Sequence, residues 1–227
     1  MKVAVLFSGG KDSVYATHWA IMRSFRVVLA TVKPQASSPY LYHRPGVELA
    51  KLAAEAMGLP HFYVSAGENL EDEVEALRVL LQRAIDAYGI EGVVSGVLLS
   101  DYQRLTVASV ADELGLKIFT PLWRCDQRNY MFELVNSGFV FMILSTSTLG
   151  LGPEYIGRPL NRSDIENIVN VADRYGFNPA FEGGEAETLV LEAPLFRRRI
   201  RVKGYRVRTG TFSWEFRILK AWLGDEA

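Results

Sequence analysis

The chain is poor in sulfur. Cys125 is its only cysteine, which forbids an internal disulfide and any thiolate zinc cluster. It also lacks a dominant charge: 25 Lys and Arg stand against 26 Asp and Glu, a net charge of −1. A protein whose overall task is to coat nucleic acid or an anionic membrane is thereby excluded, although a local patch is not. No apolar run reaches the roughly 18 residues of a membrane-spanning helix, and the opening Met1–Phe7 stretch stops at Ser8-Gly9-Gly10, too short for a signal peptide. Internal repeats and low-complexity tracts are absent too. What is present is ordinary for a globular protein: 227 residues, 49% apolar and 22% charged, enough for one large domain or two small ones. The expectation is a soluble, cytoplasmic protein with no membrane or DNA role.

The first half alternates short apolar runs with amphipathic stretches. Val3–Phe7, Val27–Val32, His61–Ser65, Glu91–Gly96 and Lys117–Thr120 read as strands. Between them, Asp12–Arg23, Gly46–Met57, Glu71–Tyr88 and Asp101–Leu114 carry helical spacing, and Gly58-Leu59-Pro60 and Gly89 act as stops. Such alternation predicts an α/β fold with a five-stranded parallel sheet. After Pro121 the rhythm changes. Gln127–Ser137 reads as a helix, Phe139–Leu144 as a strand, and Ser163-Asp164-Ile165-Glu166 as a capping box opening a helix to Tyr175. In Thr211–Ile218 the apolar Phe212, Trp214, Phe216 and Ile218 alternate with polar residues, the period of a half-buried strand. An α/β domain over 1–121 and a smaller α+β domain over 122–227 are therefore expected.

Chemistry concentrates where the first strand meets the first helix. In Ser8-Gly9-Gly10-Lys11-Asp12-Ser13, two glycines allow a sharp turn and a close backbone approach. The helix start supplies N–H groups and the positive end of a dipole, while Ser8, Ser13 and Lys11 add donors and a charge. Such a loop suits a phosphate, yet its spacing is neither Gly-x4-Gly-Lys-Ser/Thr nor Gly-x-Gly-x-x-Gly.

These six residues resemble the pyrophosphate loop of the ATP pyrophosphatase superfamily. The resemblance implies strand order 3-2-1-4-5, as in adenine nucleotide alpha hydrolase-like folds, and cleavage of ATP between its α- and β-phosphates. It also implies an ATP site at the switch point, made by Ser8–Ser13, Gly96 and the backbone around Thr31. Tyr40-Leu41-Tyr42-His43-Arg44-Pro45, Ser95–Arg104, Pro121-Leu122-Trp123, Leu151–Arg158 and Glu182-Gly183-Gly184-Glu185-Ala186-Glu187-Thr188 further resemble the diphthine–ammonia ligase family over nearly the whole chain. The family pattern is broken in places: Leu105-Thr106 follow the Ser-Asp-Tyr-Gln-Arg element, and Phe181 and Ala186 stand where Gly and an aromatic are usual.

The resemblance assigns catalysis to Lys11, Asp12, Glu185 and Glu187, with Asp12 as a weak Mg²⁺ ligand. It assigns substrate binding to His43, Ser100, Asp101, Tyr102, Glu182, Gly183, Gly184, Glu185, Glu187 and Thr188. The residues alone leave alternatives open. Three glutamates around two glycines call for a cation, whether Mg²⁺, ammonium or a cationic substrate, or else form a solvated turn. Asp101 is equally suited to capping a helix, and Asp12 to complementing a helix dipole. His18, His61 and Cys125 are expected to be structural. A single Cys125 argues against thiol-based sulfur transfer. A built-in glutaminase would need a nucleophile in a separate domain for which the chain has no room, so ammonia is expected to come from solution or from another protein.

From Ala193 to Trp214 there are seven basic residues (Arg197, Arg198, Arg199, Arg201, Lys203, Arg206 and Arg208) and no acidic one. This is either a solvated strand face or a docking surface for an acidic protein or RNA. The combined expectation is an enzyme using ATP and Mg²⁺, with translation elongation factor 2 and ammonia as partners and a homodimer among its possible assemblies. It would amidate diphthine through an acyl-adenylate and release AMP and pyrophosphate. The rival expectations are an adenylating amidase for a small carboxylate and an ATP-binding sensor without turnover.

Overall fold

The structure is a computed structural model describing residues 1–33, 47–67 and 69–226. His43 and the Tyr40–Pro45 motif lie outside the described residues. The chain divides into two compact units, Met1–Arg124 and Cys125–Ala227.

In the first unit the strands are β1 (Lys2–Leu6), β2 (Arg26–Lys33), β3 (His61–Ser65), β4 (Gly92–Val94) and β5 (Lys117–Phe119). They form a parallel sheet in the order β3-β2-β1-β4-β5, as the superfamily resemblance implies. The helices between them are α1 (Lys11–Met22), α2 (Val47–Met57), α3 (Leu70–Tyr88) and α4 (Asp101–Glu113). Side chains alternate across each strand. Ala4, Val28, Ala30, Val32 and Val93 meet α3 and α4 in one apolar cluster with Leu77, Leu80, Leu81 and Val110, while Val3, Val5 and Leu29, also buried, alternate to the other side. Burial on both faces explains why the strands read as continuous apolar runs.

Helix α3 starts with a reciprocal cap between Asn69 and Asp72 and stops at Gly89, whose φ of 62° a Cβ would disfavour. The topological reversal falls between β1 and β4. One connection from the central strand runs to β2, and the later one returns through α3 to the other side of β1. No described helix is long and apolar enough to cross a membrane.

The second unit contains α5 (Gln127–Asn136), β6 (Val140–Thr146), a 3-10 turn (Pro153–Tyr155), α6 (Arg162–Tyr175), β7 (Ala186–Glu192), β8 (Arg198–Arg208) and β9 (Trp214–Glu226). Its strands form a separate antiparallel sheet in the order β7-β6-β9-β8. Two expectations need correction here. The cap of α6 is Asn161, which accepts from Asp164 N at 3.0 Å while the Asp164 carboxylate accepts from Asn161 N at 2.8 Å. Ser163 therefore lies inside the first turn. Likewise, Thr211–Ser213 belong to the tip of the β8–β9 ribbon, and the strand begins only at Trp214. Phe212, expected to face a core, is half exposed, because the reversal of the chain uses up the first residues of the alternation.

Candidate active site

The turn from β1 to α1 is shaped by its small residues. Gly9 adopts φ 80°, a left-handed conformation that glycine takes without strain, and Gly10 is the N-cap of α1. Ser8 and Ser13 close the turn from both ends. Their hydroxyls lie 3.1 Å apart, Ser8 N donates to Ser13 Oγ at 3.2 Å, and Gly10 N donates to Ser8 Oγ at 3.3 Å. Ser13 Oγ in turn donates to Gly10 O at 3.1 Å. Lys11 is buried, with Nζ 2.9 Å from Asp12 Oδ2. An ammonium removed from water is costly unless a counter-charge answers it, and the neighbouring carboxylate does so here.

The end of β4 comes up against this turn. A Cβ on Gly96 would lie 2.7 Å from Asp12 O and 3.1 Å from Ser13 N, so position 96 has room for backbone alone. The expected grouping of Gly96 with the loop is present in the geometry, and packing explains the glycine. Thr31 sits nearby with its hydroxyl already engaged: Oγ1 donates to Phe7 O at 2.6 Å and lies 2.7 Å from His61 Nε2. Its side chain ties β2 to the end of β1 and to β3. Burial, with the charge of Lys51 adding to it, lowers the His61 pKa to about 4, so the ring is neutral near pH 7 and its Nε2–H serves the threonine.

Ser100, rather than Asp101, caps α4, accepting from Gln103 N at 3.2 Å. Asp101 is the first helical residue and accepts from Arg104 Nη2 at 3.2 Å. Tyr102 is exposed. Sequence reasoning passed over the cluster beside them. The guanidiniums of Arg104 and Arg124 lie 4.6 Å and 5.4 Å from the Trp123 ring centre, and Arg124, at φ 57°, donates its N–H to Leu98 O at 2.8 Å. An Arg-rich neighbourhood of a lone tryptophan was the available signal.

In the second unit the acidic turn leads into β7. Both oxygens of Glu185 are taken by backbone donors: Oε1 accepts from Asn178 N at 2.9 Å and Oε2 from Gly183 N at 2.8 Å. A carboxylate bonded in this way holds its loop closed and has its charge answered locally. Ser147 adds two ties, donating from N to Glu185 O and from Oγ to Gly184 O, each at 2.9 Å. Glu182 and Glu187 are partly exposed to either side, and Thr188 is buried in β7. Phe181 has φ 67° and is nonetheless buried. The backbone there keeps the left-handed turn a glycine would adopt, and apolar burial of the ring offsets the strain of about 1 kcal/mol or more. Among the described residues, no group of three or more His, Cys, Asp or Glu side chains is disposed to hold a metal ion.

The loop and the position of the sheet reversal define the class: an α/β protein with a Ser-Gly-Gly-Lys turn at the switch point of a 3-2-1-4-5 sheet, the place and residue types that suit a phosphate. The family follows from comparison. The diphthamide synthase N-terminal domain matches residues 1–118 and the diphthamide synthase C-terminal domain matches residues 126–221. The chain belongs to the diphthamide synthase family.

Among its relatives, the diphthine–ammonia ligase of Homo sapiens is 34% identical over 227 residues, covering 91% of this chain and 85% of that protein. The diphthine–ammonia ligase of Rattus norvegicus is 35% identical over 222 residues, with 89% and 83% covered. Among solved structures, one described as a predicted subunit of tRNA methyltransferase from Methanocaldococcus jannaschii aligns at TM-score 0.48 and 18% identity, covering 86% of this chain and 98% of that one.

Proposed function

We propose that this protein is an ATP-dependent diphthine–ammonia ligase that completes diphthamide on translation elongation factor 2. The observation that carries this reading is the match of both halves of the chain to one family, together with relatives in cattle and humans that are named diphthine–ammonia ligase.

The chemistry balances as two displacements. A diphthine carboxylate oxygen attacks the α-phosphorus of ATP, the bond to the β-phosphate oxygen breaks, and pyrophosphate leaves. Ammonia then attacks the acyl carbon of the adenylate, AMP departs, and the nitrogen loses a proton to give the amide.

Negative charge builds on the departing pyrophosphate, and fixed donors stabilise such charge without reorganising. The Ser8–Ser13 turn supplies serine hydroxyls, backbone N–H groups at a helix start and the ammonium of Lys11. Mg²⁺ commonly keeps several waters and takes phosphate oxygens with one or two carboxylates. Asp12, partly exposed beside the turn, suits that need with a single carboxylate, and the ion would neutralise phosphate charge. Gly96 and the backbone near Thr31 complete the nucleotide site, and Ser100, Asp101 and Tyr102 form its substrate side.

Diphthine carries a quaternary ammonium, and negative charge from Glu182 and Glu187 suits it. Gly183, Gly184 and Thr188 shape the same turn, and Glu185 acts by keeping it closed. His43 is assigned to the substrate on its motif alone.

The test is product analysis. Incubated with ATP, ammonium and diphthine-bearing elongation factor 2, the protein is expected to release AMP and pyrophosphate in equal amounts, dependent on the diphthine. Release of ADP, or no nucleotide turnover, would overturn the reading. Equal turnover with unmodified factor would move the activity to another carboxylate.

A further inference from the structure

The β8–β9 ribbon has two unlike faces. One carries Ile200, Val202, Ile218, Ala221 and Leu223, all buried or half-buried. On the other, the register pairs Arg201 with Trp222, Lys203 with Lys220 and Tyr205 with Arg217, and all six are exposed. The basic run therefore divides by structural duty. Arg198 donates to Gly224 O at 2.9 Å, Arg199 pairs with Glu192 at 2.9 Å, Arg206 donates to Ile156 O at 2.7 Å and Arg208 donates to Gly210 O at 3.1 Å. Those four brace the fold.

Arg201, Lys203 and Lys220 are placed otherwise. None of the three exposed pairs contains an acidic residue; at one end of the face Glu215 is 3.7 Å from Arg217, and at the other β9 ends in Asp225 and Glu226, beyond Trp222. Lys203 and Lys220 stand directly opposite each other. Like charges at facing positions of an antiparallel pair destabilise it, so the ribbon carries an electrostatic cost that folding does not require. An anionic partner would relieve it. Trp222, 5.3 Å from Lys220 Nζ, and Tyr205 leave aromatic surface exposed among the cations.

We infer that the Arg201–Lys203–Lys220 face docks an acidic surface of the protein substrate; the inference rests on the ligase reading above. Its size separates this partner from a nucleic acid. Three cations neutralise about three phosphates, which gives weak and strongly salt-sensitive affinity, and a chain of net charge −1 offers no wider positive field. A protein held chiefly through its reacting side chain needs only a rim patch to speed and orient the encounter. Exposed Trp, Tyr and Arg are also the residue types that anchor protein interfaces.

The experiment is steady-state AMP release with diphthine-bearing elongation factor 2 at several salt concentrations. The Arg201→Glu/Lys203→Glu variant is expected to raise KM for the factor about tenfold, with kcat and KM for ATP unchanged and a flatter salt dependence. Lys220→Glu, which turns the Lys203–Lys220 contact into an opposite-charge pair, should also raise KM for the factor while raising the melting temperature.

Unchanged KM and salt dependence in active variants would overturn the docking surface. So would loss of binding to single-stranded RNA with KM for the factor intact, which would assign the face to nucleic acid. Wild-type protein that releases no AMP with the factor would refute the ligase reading instead, so the two failures are distinguishable.

Discussion

A methyl group at position 96 would press on the Asp12 carbonyl at 2.7 Å, and backbone on both sides leaves no flexible side chain to yield. Gly96→Ala is therefore expected to displace the start of α1 from the end of β4. Overpacking of this kind costs about 1–3 kcal/mol, and the shift falls on the Ser8–Ser13 turn, to which the proposed function gives the phosphates. The expected outcome is a melting temperature lower by several degrees together with ATP affinity reduced about tenfold, read by thermal melts and nucleotide titration; wild-type affinity would place the turn away from the nucleotide. In the sequence Gly96 is legible only as a glycine at a strand end, and its physical reason is a contact 84 positions away from Asp12 along the chain. Thr31 and Glu185 teach the same lesson. Their side chains are polar and well placed for ligands on paper, yet the structure shows each committed to backbone groups.

At the scale of the element, the start of α6 combines two devices in Asp164. Its carboxylate accepts from Asn161 N and also forms a bidentate pair with Arg158 at 2.6 and 2.7 Å. The Arg158 hydrogen bonds hold its pKa below the usual carboxylate value despite burial. With the folded pKa depressed, the contribution is present at neutral pH and disappears as pH falls through the folded value. Asp164→Asn should destabilise the second unit by about 2 kcal/mol through the lost ion pair and weakened cap, seen as a lower urea midpoint at pH 7 whose difference from wild type shrinks only once pH falls below the ordinary carboxylate value.

Helix existence is legible from apolar spacing, but the expected cap, Ser163, lies two residues beyond the actual one, Asn161. Ser, Asn and Asp are chemically interchangeable at such positions, and only the hydrogen bonds identify the one in use. Strand β8 shows a different obstacle. Its basic residues mask an alternation of Ile200 and Val202 that is plain once the ribbon has an inner face.

At the scale of the whole molecule, acid sensitivity should centre on His61 in the first unit. Its folded pKa of about 4 lies below the unfolded value of 6.5, so the unfolded chain binds more protons between those limits. Stability is then present above pH 6.5 and is lost as pH falls toward 4. Protonating the ring would place a cation in a half-buried setting near Lys51, beside the Thr31–Phe7 tie. His61→Gln, which keeps an N–H donor without the titration, is expected to flatten the acid limb of a stability–pH profile over that range; an unchanged limb would assign it to other groups, first to His18, whose pKa burial also lowers.

What the sequence by itself determined is the succession of elements in the first unit and the chemical character of the Ser8–Ser13 turn. Both depend on near neighbours: apolar runs sized for strands, spacing sized for helices, and small residues at one junction. Only the tertiary structure decided which polar side chains were committed to holding loops, where the strand order of the second sheet brought β9 between β6 and β8, and which arginines of the basic run braced the fold while others stayed on an exposed face. Those outcomes depend on contacts between residues far apart in the chain, and local pattern carries no record of distance in space.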